Sequence, residues 1–181
     1  MKPITPSEAL QQKKKVFIRR KSLRVLAVSM SCTFLATLIL LGVVFGLASV
    51  RGSSMAPSIK ERDIVLFSRL SEYTAGDIII IHSDDDKELI KRVICLPGDV
   101  IDIFPDGKIS VNGELIEDPY AAGFTDRKDS LEYPIVLGTD EYFVLGDNRE
   151  DSRDSRFYGP IKKANIRGKV ITILRTNKQE I

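Results

Sequence analysis

Leu89-Ile90-Lys91-Arg92-Val93-Ile94-Cys95-Leu96-Pro97-Gly98-Asp99 is the stretch on which the fold turns. A mostly apolar run of strand length is closed by Pro-Gly-Asp, the composition of a strand ending in a turn. Two adjacent cations interrupt it. Strand alternation puts Lys91 on one face with Leu89, Val93 and Cys95, so a basic side chain is set among apolar neighbours. Periodicity alone fits equally a lysine that lays its stem on that wall and keeps its amine in water.

The same punctuation continues on both sides. Ile64–Phe67 and Ile78–Ile81 are short apolar runs, and Lys108–Val111 lies between the turn signals Asp106-Gly107 and Asn112-Gly113. Glu141–Leu145 and Lys169–Leu174 complete the set. Residues 51–181 contain no repeat, no low-complexity stretch and no long helical period. They predict a mainly β domain, a folded or partly closed antiparallel sheet.

Before this domain the character changes. Val25 to Val50 is a run of 26 residues without a charge, longer than the apolar core of a cleaved secretory signal, about 7–15 residues. It is long enough to cross a bilayer core of about 30 Å. Residues 1–24 carry eight basic side chains against one acid, Glu8, which leaves 19 basic and 24 acidic residues in the remainder. The net charge of +2 therefore hides a basic tail and an acidic body. An acidic body argues against nucleic acid as a partner, and a basic flank beside an apolar span stays on the cytoplasmic side. The expected organisation is a cytoplasmic tail (1–24), a single transmembrane helix (25–50) in the plasma membrane and an extracytoplasmic β domain (51–181). Cys32 and Cys95 give neither a disulfide framework nor metal spacing and read as small buried hydrophobes.

Two residues stand out as candidates for covalent chemistry. The one histidine, His82, precedes the acidic run Asp84-Asp85-Asp86, which reads as a solvated loop; that run lacks the glycine and distal glutamate of a calcium loop. No metal and no cofactor are expected. A serine nucleophile then needs another base, and a lysine serves only when neutral, which burial in apolar surroundings favours. Lys91 is placed for that role. Gly52-Ser53-Ser54-Met55-Ala56-Pro57-Ser58, a loop directly after the apolar span, offers the hydroxyl.

Four segments, in this order, resemble the conserved boxes of type I signal peptidases. Ser54-Met55-Ala56-Pro57-Ser58 is similar to the serine box, and Gly76-Asp77-Ile78-Ile79-Ile80 to a Gly-Asp-apolar strand. Residues 91–99 resemble the lysine box. Gly146-Asp147-Asn148-Arg149, continuing through Ser152-Arg153-Asp154-Ser155-Arg156 to Gly159, resembles the last box. The likeness spans almost the whole chain and is nearest to the minimal single-span form of Gram-positive bacteria. It implies a membrane-bound serine endopeptidase of signal-peptidase/LexA-like fold, which cuts signal peptides from exported preproteins at Ala-x-Ala-type sites near the translocon.

Carried over residue by residue, Ser54 is the nucleophile and Lys91 the general base. The Ser54 N–H helps to hold the oxyanion. Gly52, Ser58, Asp147, Ser152, Asp154 and Arg156 form the supporting set, with Ser152 helping to place the lysine amine. Three positions depart from the family pattern: Gly52 stands where some members have serine, Ser58 where threonine is usual, and Cys95 where glycine is common. Three other readings compete: a pilin-processing or non-catalytic pilus-assembly relative, a self-cleaving repressor and an anchored binding domain. A repressor would carry a helical DNA-binding domain in place of the apolar span, and a binding domain needs no lysine buried opposite a loop serine.

Overall fold

The computed structural model describes the backbone of residues 6–83 and 87–175, and within these the side chains from Ile18 onward. The acidic run 84–86 lies outside the described residues. Two compact units divide between Val43 and Val44.

The first unit is one helix, α1, Pro6–Val44. Its segment Ile18–Val44 is long and apolar enough to cross a membrane, about 40 Å at 1.5 Å per residue. Val28, Phe34 and Leu40 are all exposed, so the segment is apolar all round rather than along one stripe. Its two threonine hydroxyls are satisfied internally: Thr33 Oγ1 donates to Ser29 O at 3.0 Å and Thr37 Oγ1 to Thr33 O at 2.9 Å. The expected span 25–50 is not all helix. Phe45–Ser49 is a strand, β1, paired antiparallel with β2, Ile64–Ser68. The charge-free run hides this change because Gly46, Ala48 and Val50 are also apolar. Ala48 and Val50 bury into the core, and a Cβ on Gly46 would lie 2.3 Å from the Phe67 ring. That close packing, gained only in the extended form, ends the helix.

The second unit is mainly β, as the turn spacing predicts. A seven-stranded antiparallel sheet adds β3 (Ile78–His82), β4 (Glu88–Cys95), β9 (Glu141–Leu145), β10 (Ile161–Lys162) and β11 (Ile166–Leu174). Its order is β1-β2-β11-β3-β4-β9-β10. A smaller sheet holds β5 (Val100–Ile103), β6 (Ile109–Val111), β7 (Glu114–Ile116) and β8 (Ile135–Val136) in the order β7-β6-β5-β8. A one-turn helix, α2, covers Ser155–Tyr158. Register shifts in β11, between Ile166 and Gly168 and again between Val170 and Thr172, interrupt the ladder and let the large sheet bend.

Three apolar clusters fill the unit. Val65, Phe67, Ile80 and Ile90 form one with Met55 and Ile59 from the loop after β1. Ile79, Ile81, Val93 and Val144 form another. In the third, Phe143 and Leu145 of the large sheet meet Ile101, Ile103 and Ile109 of the small one. Cys95 belongs to this third cluster together with Ile94, and not to the Lys91 face, because the β4–β9 register shifts between Val93 and Cys95. Burial, with Asp99 adding to it, pushes the Cys95 thiol up to about 12.

Phe143 is fully buried where the two sheets meet. Phe143→Ala is expected to lower unfolding stability by about 3–5 kcal/mol, measured by denaturant titration of the detergent-solubilised protein.

Candidate active site

Ser54 stands in a loop whose base is closed by backbone bonds between Val50 N and Asp63 O, 2.8 Å, and between Arg62 N and Val50 O, 3.0 Å. Met55 and Ile59, almost wholly buried, anchor that loop in the core. The half-buried Ser54 is left at the loop's edge. Its carbonyl accepts the Asn148 N–H at 3.1 Å, and the Ser53 carbonyl accepts Asn148 Nδ2 at 3.3 Å. The Ser53 hydroxyl bonds to Asp151. Thus the loop is tied to residues 146–151 by main chain and side chain together.

Lys91 comes from the middle of β4, opposite Ile79 of β3. Only 3% of it is exposed, and its Nζ lies 2.8 Å from Ser54 Oγ. Burial pulls the amine from 10.5 down to about 8; Asp154 and Asp147 act against this and Arg156 with it. Desolvation wins because both carboxylates are already paired. Asp147 accepts Arg92 Nε and Nη2 at 2.8 and 2.7 Å. Asp154 accepts Arg156 Nε at 2.8 Å, caps α2, and takes the Gly146 N–H at 3.0 Å.

Gly146 has to be glycine for reasons of space. A Cβ there would lie 2.1 Å from Ser152 Oγ and 2.6 Å from Ser54 O. At Gly52 the reason is conformation: φ is +80°, a region a serine would enter only with strain, and there is open space around it.

The supporting residues fall into two groups. Asp147, Asp154 and Arg156 are buried around Lys91. Ser152 is packed on Gly146, but its buried Oγ has no hydrogen-bond partner among the described residues. The expected bond from Ser152 to the lysine amine is therefore absent here; Nζ is directed at Ser54. Ser58 is half-buried in the Ser54 loop and bonds to neither member of the pair. His82 sits exposed at the end of β3, opposite Glu88.

Sequence reasoning missed Arg92, Asn148 and Arg149 as parts of the site. The pairing of Arg92 with Asp147, 55 positions away, had no local signal in the sequence. No group of three or more His, Cys, Asp or Glu suited to a metal occurs among the described residues.

A cleft of about 770 Å³ opens over the pair. One wall is Leu47–Val50 and the Ser54 loop, the other Glu88–Lys91. Strand β4 pairs with β3 along Glu88–Arg92, whereas β9 meets it only from Arg92 onward. Glu88–Lys91 therefore keeps one edge out of the ladder, and an extended peptide can pair with such an edge.

The family model described as "Signal peptidase, peptidase S26" matches residues 23–174. "Signal peptidase I S" of Bacillus subtilis is 31% identical over 150 residues, 76% of this chain and 80% of that protein. "Signal peptidase I V" of the same organism is 37% identical over 135 residues, 66% of this chain and 79% of that protein. A crystal structure of a signal peptidase I from Enterococcus faecalis aligns with a TM-score of 0.47 and 29% identity, covering 56% of this chain and 98% of that one.

A buried amine held near 8 costs stability wherever it is charged in the fold. Below about pH 8 the cost is full; between 8 and 10.5 the unfolded chain binds the extra proton, so stability rises with pH. Lys91→Met is expected to raise unfolding stability at pH 7 by about 1–3 kcal/mol, the gain shrinking as pH rises through that window. Thermal or denaturant unfolding at pH 7 and pH 10 checks both the sign and the trend.

Proposed function

This chain belongs to the signal peptidase family, peptidase S26, and from that membership we propose a signal-peptide-cleaving endopeptidase with Ser54 as nucleophile and Lys91 as general base. The observation that carries the assignment of roles is the 2.8 Å contact between Lys91 Nζ and Ser54 Oγ inside a buried, cleft-lining pocket.

The chemistry follows from the pocket. A neutral Lys91 accepts the Ser54 proton as Oγ attacks the scissile carbonyl, forming a C–O bond and an oxyanion. The resemblance assigns the Ser54 N–H as a donor to that oxygen, and a preorganised donor of this kind is worth about 3–4 kcal/mol. The lysine, now an ammonium, sits near Asp147 and Asp154, which stabilise it. It returns the proton to the leaving amine as the C–N bond breaks. A water then attacks the acyl-enzyme with Lys91 again as base, and Ser54 is restored.

The substrate reading rests on the same cleft. A signal peptide is an apolar helix followed by an extended segment with small residues before the cut. The extended segment adds to the open edge of Glu88–Lys91, beside the Ser54 loop. The segment Ile18–Val44 anchors the enzyme in the plasma membrane, basic end inward, with the β domain outside. Ser54 follows Val44 by only ten positions, which keeps it within about 36 Å of the helix end even in fully extended chain. This short tether supports the reading that the nucleophile works near the membrane face from which a signal peptide emerges, close to the translocon.

Cleavage of a preprotein with an Ala-x-Ala site in proteoliposomes tests this. Ser54→Ala and Lys91→Ala should each lose at least about 10³-fold in kcat/KM, with folding retained. Wild-type kcat/KM should rise with pH and level off above about 8, the value toward which burial lowers the amine. Full activity in Lys91→Ala would end the dyad assignment.

A further inference from the structure

Between β7 and β8 the chain leaves the small sheet, and residues 118–125 run alongside residues 146–149. Ala122 and Asn148 form a parallel bridge: the Ala122 N–H donates to Asp147 O at 2.7 Å and the Arg149 N–H to Ala122 O at 2.9 Å. The Arg149 guanidinium, with the residue 2% exposed, joins the two segments. Its Nε donates to Gly146 O at 3.0 Å, its Nη1 to Thr125 Oγ1 at 2.6 Å, and its Nη2 pairs with Asp118. The other Asp118 oxygen accepts the Tyr120 N–H at 3.1 Å. Arg92, which holds Asp147, lies over the Tyr120 ring, 3.7 Å from its centroid.

The segment therefore grips two of the arginines behind the pair, Arg149 through Asp118 and Arg92 through Tyr120. What they hold in turn is the stretch that touches Ser54: Gly146 packs on the Ser54 carbonyl, and Asn148 N–H bonds to it. Residues 118–125 do not line the cleft, so their influence passes through residues 146–149 and not through contact with substrate.

We propose that Asp118, with Tyr120 and Arg149, forms a positioning clamp that fixes residues 146–149 and so sets the Ser54–Lys91 geometry and keeps water from the lysine. The proposal rests on the Ser54–Lys91 reading. Lys91 is faced by Ser54, by Asp147 from the clamped stretch, and by Asp154 and Arg156 at and in α2. Strand β3 opposes it with Ile79, which does not titrate. Releasing the clamp lets water reach the amine, which weakens desolvation and returns its proton affinity toward that of an ordinary lysine.

The test uses full-length enzyme in detergent. Asp118→Ala and Tyr120→Ala should lower kcat by about tenfold at neutral pH, with KM within about twofold. The alkaline rise in kcat should move up by about half a pH unit or more. Asp118→Asn, which keeps an acceptor for Arg149, should recover most of the rate. Because Tyr120 is 48% exposed, its truncation leaves a foldable variant should Asp118→Ala prove unstable. A second measurement does not depend on activity: reductive methylation of Lys91 across pH, read by mass spectrometry, in Ser54→Ala with and without Asp118→Ala. A higher labelling midpoint in the double variant supports the clamp. Unchanged kcat, pH profile and labelling midpoint, with only melting temperature lowered, would overturn it. Cleavage by Ser54→Ala itself would strike the dyad reading, and the labelling midpoint would still decide the clamp.

Discussion

An amine that is to work as a base near neutral pH has to be kept dry, and bare carboxylates beside it defeat the purpose. Lys91 is 3% exposed and has two buried aspartates as neighbours, Asp147 and Asp154, each of which favours the charged ammonium. Each is bound by its own arginine, Arg92 or Arg156, through paired hydrogen bonds of 2.7–3.0 Å. Arginine suits the task because its planar fork matches a carboxylate and it stays charged when buried. The carboxylates remain close enough to stabilise the ammonium that the proposed mechanism calls for, yet their field is cut down enough for desolvation to prevail. Much of the second unit serves this balance: β4 carries Lys91 and Arg92 on opposite faces, β9 leads into Asp147, and α2 is capped by Asp154.

The fold was legible where apolar runs met turn residues. Glu141–Leu145 agrees from end to end, and Ile64–Phe67, Ile78–Ile81 and Lys108–Val111 agree to within one residue. The strands β7, β8 and β10 are two or three residues long and partly exposed, so they leave no alternation to read. β1 was hidden for the opposite reason. Its residues are as apolar as the helix before them, and composition does not register that Gly46 and Ala48 pack closely against β2 only when extended.

The site was legible in part. That Lys91 shares a face with Leu89 and Val93 follows from period two, and the structure agrees. That it meets Ser54, 37 positions away, was one candidate pairing among the residues until resemblance to a known family singled it out. The bond between Arg149 and Asp118, 31 positions apart, had no local signal at all. Long-range pairing of charged groups depends on topology, and neither residue type nor spacing encodes it. Ser152 shows the converse: resemblance gave it a role at the amine, while packing against Gly146 leaves its hydroxyl without a partner among the described residues.

The strand order has one more consequence. Ser54 belongs to the β1–β2 hairpin and Lys91 to the β3–β4 hairpin, and between these lies β11, pairing with β2 on one side and β3 on the other. Ser54 and Lys91 are thus both made before the strand that bridges their hairpins, the last among the described residues. Without β11 the two hairpins share no ladder and are held together by the bonds of the Ser54 loop to residues 146–151 and by Met55 and Ile59 packing on Ile80 and Ile90. The last described strand thus completes the frame on which the two hairpins are held side by side.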